Sequence, residues 1–160
     1  MNMKKLYTFV FCLIFSVGAV AQVNVVMNAN GTFYSCGGAF LDSGDQGGPG
    51  YSNDEYFTVT ICPEIEGDVV TVDFVTFDLD ETGNQNSWDN MAIYDGDNTG
   101  ATPLGSYSGT ALQGLFVTAT PLNTSGCLTF VFDSNNAGTG NFVGSITCDT
   151  PCDRPVAVGT

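Results

Sequence analysis

The chain has 160 residues, of which 17 are acidic, three are Lys or Arg and none is histidine, for a formal charge of −14. So few cations exclude nucleic-acid phosphates and anionic membrane surfaces as partners. Without histidine, Ser-His and Cys-His nucleophile pairs are excluded as well.

Residues 1–21 read as a secretory signal peptide: Lys4 and Lys5, an apolar run from Leu6 to Val17, then small residues ending in Ala21. The run is too short for a membrane span. Cys12 lies inside it rather than at a cleavage site, which argues against a lipid anchor. The remaining 139 residues fit one domain. Their only basic side chain is Arg154, against all 17 acids, a formal charge of −16. Schiff-base and Ser-Lys chemistry therefore fall away too. Most of the acids read as a solubilising surface.

Val23–Met27 and Thr32–Cys36 are the first strand candidates, followed by the loop "DSGDQGGPGYSND". Phe57, Val59 and Ile61 then alternate with Tyr56, Thr58 and Thr60, the period of a strand with one buried face. In "VVTVDFVTFDL", Val70, Val72 and Phe74 share one parity, while Val75, Phe77 and Leu79 share the other. That switch predicts a β-bulge near Phe74 and Val75. After "ETGNQNS" come Trp88, Asp89 and a strand over Met91–Tyr94, then the loop "DGDNTGATPLG". Leu115–Thr120, the alternating Leu128, Phe130 and Phe132, and Phe142–Thr147 complete the candidates. The clusters between them are turn signals, and no segment has a helical period. Many short strands separated by turns predict an all-β, two-sheet sandwich. The domain is read as 22–148. Residues 149–160, "DTPCDRPVAVGT", read as a linker at the start of a further region.

Export implies an oxidising compartment, so the five mature cysteines, Cys36, Cys62, Cys127, Cys148 and Cys152, predict disulfides with one cysteine left over or paired outside this chain. "YDGDNTG" reads as a turn, with Gly96 at positive φ and Asp95 and Asp97 capping their own backbone. Asp42 in "LDSGDQGG" likewise reads as a turn cap, and Glu55 has no assigned role. Trp88 reads as a core or half-core ring bracing the site, with an exposed ring for stacking on sugar or protein as the alternative. Asp80 and Glu81 end one strand and Asp89 begins the next, so a hairpin between them places these acids side by side at one edge.

"CGGAFLDSG", "YSNDEYFTVTIC", "FVTFDLDE", "WDNMAIYDG", "LGSYSG" and "CLTFVFDSNNAGTGNFVGSITC", in this order and spacing, resemble the CUB domain in its secreted bacterial form. The resemblance runs from about Gly31 to Cys148. It implies an antiparallel, jelly-roll-like sandwich in the extracellular space, binding rather than catalysis, and in many members a calcium ion at one end. Two departures stand out. Asn86 and Ser87 occupy the place where animal members carry a cysteine, and Ser134-Asn135 stands where calcium-binding members have Ser-Asp. By the family's topology Asn135 reaches the edge that holds Asp89. Calcium takes six to eight oxygen ligands, and the resemblance implies Asp80 or Glu81, Asp89 and Asn135 among them, with "SNNAGTG" suited to offering carbonyls. It also implies the pairing Cys36–Cys62 and Cys127–Cys148, with Cys152 left over.

The reading is a secreted or cell-surface, non-catalytic adhesion module that recognises extracellular protein or carbohydrate, with no ligand-binding residue assigned. An alternative is an accessory domain of a larger secreted hydrolase, a peptidase; a third is a structural spacer in a surface adhesin. Zinc is not expected, for want of histidine and paired CxxC motifs. Paired carboxylates for glycoside hydrolysis need a substrate cleft that a sandwich of this size seldom provides.

Overall fold

The structure, a computed structural model, describes residues 22–45, 47–84 and 88–151. The proposed signal peptide, Asn86, Ser87, Cys152 and most of the proposed linker lie outside them. Every regular element among the described residues is a strand: β1 (Val25–Val26), β2 (Gly31–Tyr34), β3 (Ala39–Leu41), β4 (Tyr56–Cys62), β5 (Val69–Asp78), β6 (Asn90–Asp95), β7 (Thr102–Tyr107), β8 (Phe116–Thr118), β9 (Leu128–Asp133) and β10 (Asn141–Asp149). β10 thus extends through Asp149. No helix among them is long and apolar enough to cross a membrane.

The strands form two five-stranded sheets, β1-β3-β10-β5-β8 and β2-β4-β9-β6-β7, called here the first and second sheets. The expected sandwich is present, but it is mixed rather than wholly antiparallel. β1 pairs with β3, and β2 with β4, in parallel. Consecutive strands at the N-terminus alternate between the sheets, so β1 and β3 run the same way with β2 as their crossover. A parallel pair needs such a connection.

The parity switch in β5 is a bulge. Val143 pairs with Thr76 and Gly144 with Phe74, leaving Val75 as the extra residue. Phe74 and Phe77 therefore both point inward while Val75 is exposed. Six phenylalanines, Phe40, Phe74, Phe77, Phe130, Phe132 and Phe142, are buried between the sheets. Phe40 of the first sheet meets Phe130 of the second with ring centroids 4.8 Å apart. Such tilted ring pairs add about 0.5–1.5 kcal/mol beyond their burial.

Two strands lay hidden in the sequence. β3 is not among the candidates, and β7 begins inside the segment read as loop and runs two residues past it. Pro103 and Gly105 disguise β7, but both are tolerated because it is an edge strand paired only with β6. The expected hairpin between β5 and β6 does not form either, because the two strands belong to opposite sheets.

The disulfides use the four expected cysteines in a different pairing, Cys36–Cys148 and Cys62–Cys127. The reason is strand adjacency. β4 and β9 are antiparallel neighbours with Ile61 opposite Leu128, so the next residues along, Cys62 and Cys127, face each other. Cys36 follows β2 in the second sheet and meets Cys148 of β10 in the first, and their bridge ties the layers together.

Candidate functional site

Asp89 immediately precedes β6 and is fully buried. The residue ties three chain segments together, two through its carboxylate and one through its backbone N–H. Tyr51, from the glycine-rich loop before β4, donates its hydroxyl to Oδ2 at 2.7 Å. The Asn135 N–H, from the loop after β9, donates to Oδ1 at 2.7 Å. The Asp89 N–H donates to the Asp80 carbonyl at 3.0 Å, which brings the ends of β5 and β6 together without a hairpin. Tyr51 Oη in turn accepts the Asp80 N–H at 2.9 Å.

The Tyr51 ring is buried edge-on against Phe132, centroids 4.7 Å apart. Gly50 before it adopts φ 89° and lies so close to the Gly140 carbonyl that a Cβ has no room. Neighbouring bonds stitch the same end. Glu55 accepts from Ser43 Oγ at 2.7 Å and from the Ser52 N–H at 3.1 Å, and Ser134 Oγ accepts the Glu55 N–H at 2.9 Å. Asp42 caps its turn through the Gly44 N–H and also accepts the Phe142 N–H at 3.1 Å.

Burial is the main cause of the shifts at this end. It pushes the Asp89 carboxyl above the usual aspartate range, against the lowering effect of the Asn135 and Tyr51 hydrogen bonds, and the nearby charges of Asp80 and Asp133 push the same way. Burial also raises the Tyr51 hydroxyl far above its ordinary value, so Tyr51 stays a donor. Asp42 is likewise raised by burial. No Lys, Arg or His exists among the described residues to offset these charges.

No family model matches the sequence, and no curated protein matches it. Solved structures do resemble it. The full extracellular region of zebrafish Gpr126/Adgrg6 aligns at 19% identity and a TM-score of 0.60, over 76% of this chain and 15% of that one. The CUB1-EGF-CUB2 segment of human MASP-1/3 aligns at 20% identity and a TM-score of 0.56, over 80% of this chain and 44% of that one. A MASP-1 CUB2 domain bound to Ca2+ aligns at 21% identity and a TM-score of 0.53, over 72% of this chain and 96% of that one. The chain has a CUB-like fold. It spans under half the length of the first two proteins.

In this CUB-like frame Asp80, Asp89 and Asn135 share one edge. The Asp80 carboxylate accepts from the Thr82 N–H at 3.0 Å and stands against Gly138, three residues beyond Asn135. The Glu81 carboxylate stands instead against Gly109. Among the described residues no three acidic, Cys or His side chains are grouped so as to hold a metal. A cation at this edge would draw on two carboxylates, the Asn135 amide, loop carbonyls and water.

The "YDGDNTG" turn differs from expectation in its details. Asp95 does not cap its own backbone. It accepts from Thr120 N–H at 3.0 Å, Thr120 Oγ1 at 2.6 Å and Asn123 Nδ2 at 2.9 Å, bracing the loop before β9. Gly96 is not at positive φ; it is required because a Cβ there meets Ala101. Asn98 caps the turn through the Gly100 N–H, and Asp97 is exposed. Trp88 is half-buried, with its Nε1 buried.

Tyr51 escaped the sequence reading because nothing periodic marks a loop residue. Tyr51→Phe removes both an acceptor for Asp80 N–H and a donor to Asp89. Leaving buried partners unsatisfied costs about 1–3 kcal/mol, to be read from urea unfolding.

Proposed function

We propose that this chain is an extracellular, non-catalytic binding module for protein or carbohydrate, and that a calcium ion at Asp80, Asp89 and Asn135 orders its recognition loops. The observation that carries this reading is the convergence of three segments on buried Asp89, with no basic side chain among the described residues to balance it. Two disulfides suit an oxidising compartment, as does the signal peptide read in residues 1–21. The donor set fits a hard cation. Each Asp89 oxygen accepts one hydrogen bond in the bonds described and retains a second lone pair. A calcium ion would supply positive charge where like charges crowd, and Asp80 and Asn135 would orient the loops around it.

Extracellular calcium modules bind at about 10⁻⁴–10⁻³ M, and Asn135 in place of a carboxylate suits that modest range. At about 100 times the dissociation constant the ion adds about 2.7 kcal/mol. Calcium is therefore expected to raise the melting temperature, and magnesium, which demands a tighter octahedral shell, to raise it less. Asp89→Asn is expected to abolish most of the gain, Asp97→Asn to leave it, and Asn135→Asp to enlarge it. Superimposed melting curves in calcium and in chelator, at matched ionic strength, would refute the site. The isolated chain is also expected to be inert toward peptide, ester and glycoside substrates. Activity lost on changing Asp89 or Glu81 to the amide would overturn the non-catalytic reading.

A further inference from the structure

We propose that the outer face of the second sheet carries a groove for a neutral oligosaccharide, well separated in the fold from the Asp89 edge. The proposal rests on the binding-module reading above and narrows its ligand class.

The groove has a volume of about 490 Å³, within the range of ligand sites. Its floor is built from one cross-strand row and the residue next to it on β2. Tyr34 of β2 is in register with Cys62 of β4, and Cys62 is bridged to Cys127, which immediately precedes β9. One step along, Thr32 lines the groove, and beneath the neighbouring surface its register partner Thr60 meets the buried Thr129, hydroxyls 2.8 Å apart. The walls are the segment from Pro63 to Gly67, Asp97, and Thr124 with Ser125. The Glu64 N–H donates to Cys36 Sγ at 3.3 Å, so the second disulfide braces one wall. A shallower depression of about 350 Å³ continues the groove, sharing Thr32 and Asp97 and adding Thr58, Asn98 and Thr99. The trough is thus elongated and held by covalent bridges, and preorganisation of this kind lowers the cost of binding.

Its chemistry suits a sugar chain. Tyr34 is 69% exposed beside the trough, an amphipathic ring that can cover the C–H face of a pyranose. Around it stand acceptor-only carboxylates, from Glu64, Glu66 and Asp97, and hydroxyls that donate or accept. Sugar hydroxyls are donors that such carboxylates can take up. The absence of any Lys, Arg or His among the described residues disfavours uronic, sulfated or phosphorylated chains, which leaves neutral ones.

The test is calorimetry of the secreted chain with cellohexaose, xylohexaose, mannohexaose and chitohexaose, with a heparin hexasaccharide and octa-arginine as the other arms. At least one neutral hexasaccharide is expected to bind. Tyr34→Ala should weaken it about tenfold or more, as loss of an aromatic anchor does. Tyr34→Trp should retain binding, and Val75→Ala, exposed on the opposite sheet, should leave it unchanged. The proposal is overturned if no neutral hexasaccharide binds, if Tyr34→Ala has no effect, if the heparin fragment binds in preference, or if octa-arginine alone binds, the mark of a basic peptide partner. Failure with all four sugars while calcium still raises the melting temperature would remove the glycan and leave the calcium-ordered binding module standing.

Discussion

Replacing Cys36 and Cys148 by serine should lower the stability of the chain by about 4 kcal/mol on the chain-entropy scale. The two cysteines are 112 residues apart in sequence. The Cys62–Cys127 bridge is nested inside that span and shortens the path between them to about 50 residues, which is the length that sets the entropic gain. The bridge also joins β10 of the first sheet to the segment after β2 in the second, so its loss removes a covalent tie between the layers beside the short N-terminal edge strands. β1 has two residues and β2 four. With a urea slope of about 2 kcal/mol/M, the midpoint should fall by about 2 M. Peptide mapping without reduction should recover Cys36 with Cys148. Recovery of Cys36 with Cys62, or a midpoint that barely moves, would refute this account.

The same bridge shows where reading the sequence stops. Alternation is local, so Val59 and Ile61, or Phe130 and Phe132, reveal a buried face with no knowledge of neighbours. The bulge is equally local: Phe74 and Phe77 cannot both face inward without an extra residue, and Val75 is that residue. Pairing is not local. Cys62 finds Cys127 only because β4 lies beside β9, and no spacing along the chain encodes that adjacency. Asp95 was misread for the same reason, since its partners Thr120 and Asn123 lie 25 and 28 residues away. The edge around Asp89 falls between these cases. Asp80 and Asp89 were expected side by side, but through a hairpin that does not exist, and without the tyrosine whose hydroxyl connects them.

Asp89→Ala should destabilise the metal-free chain by about 2–4 kcal/mol. The Tyr51 hydroxyl and the Asn135 N–H would each lose a buried acceptor, at about 1–3 kcal/mol apiece. The penalty for holding a buried carboxylate ionised is relieved at the same time and offsets part of the loss. Asp89→Asn should cost less, because it keeps one acceptor oxygen and nearly the same volume. The two carboxamide atoms cannot both accept, so one donor is still left facing an NH2 group. Comparing wild type with Asp89→Asn also isolates the sign of the carboxyl's contribution. Its folded value is raised above the ordinary 3.8, chiefly by burial. The native state therefore binds the proton more tightly than the unfolded chain, and stability falls as pH rises through the window above 3.8. In chelator, acidification from pH 7 toward about 4 should stabilise wild type relative to Asp89→Asn. Relief of general acidic repulsion, and protonation of Asp42, act on both proteins and cancel in the difference. Urea melts at the two pH values measure it. Parallel responses would mean that the Asp89 carboxyl is not strained by its burial, and the case for a cation to neutralise it would lose its electrostatic basis.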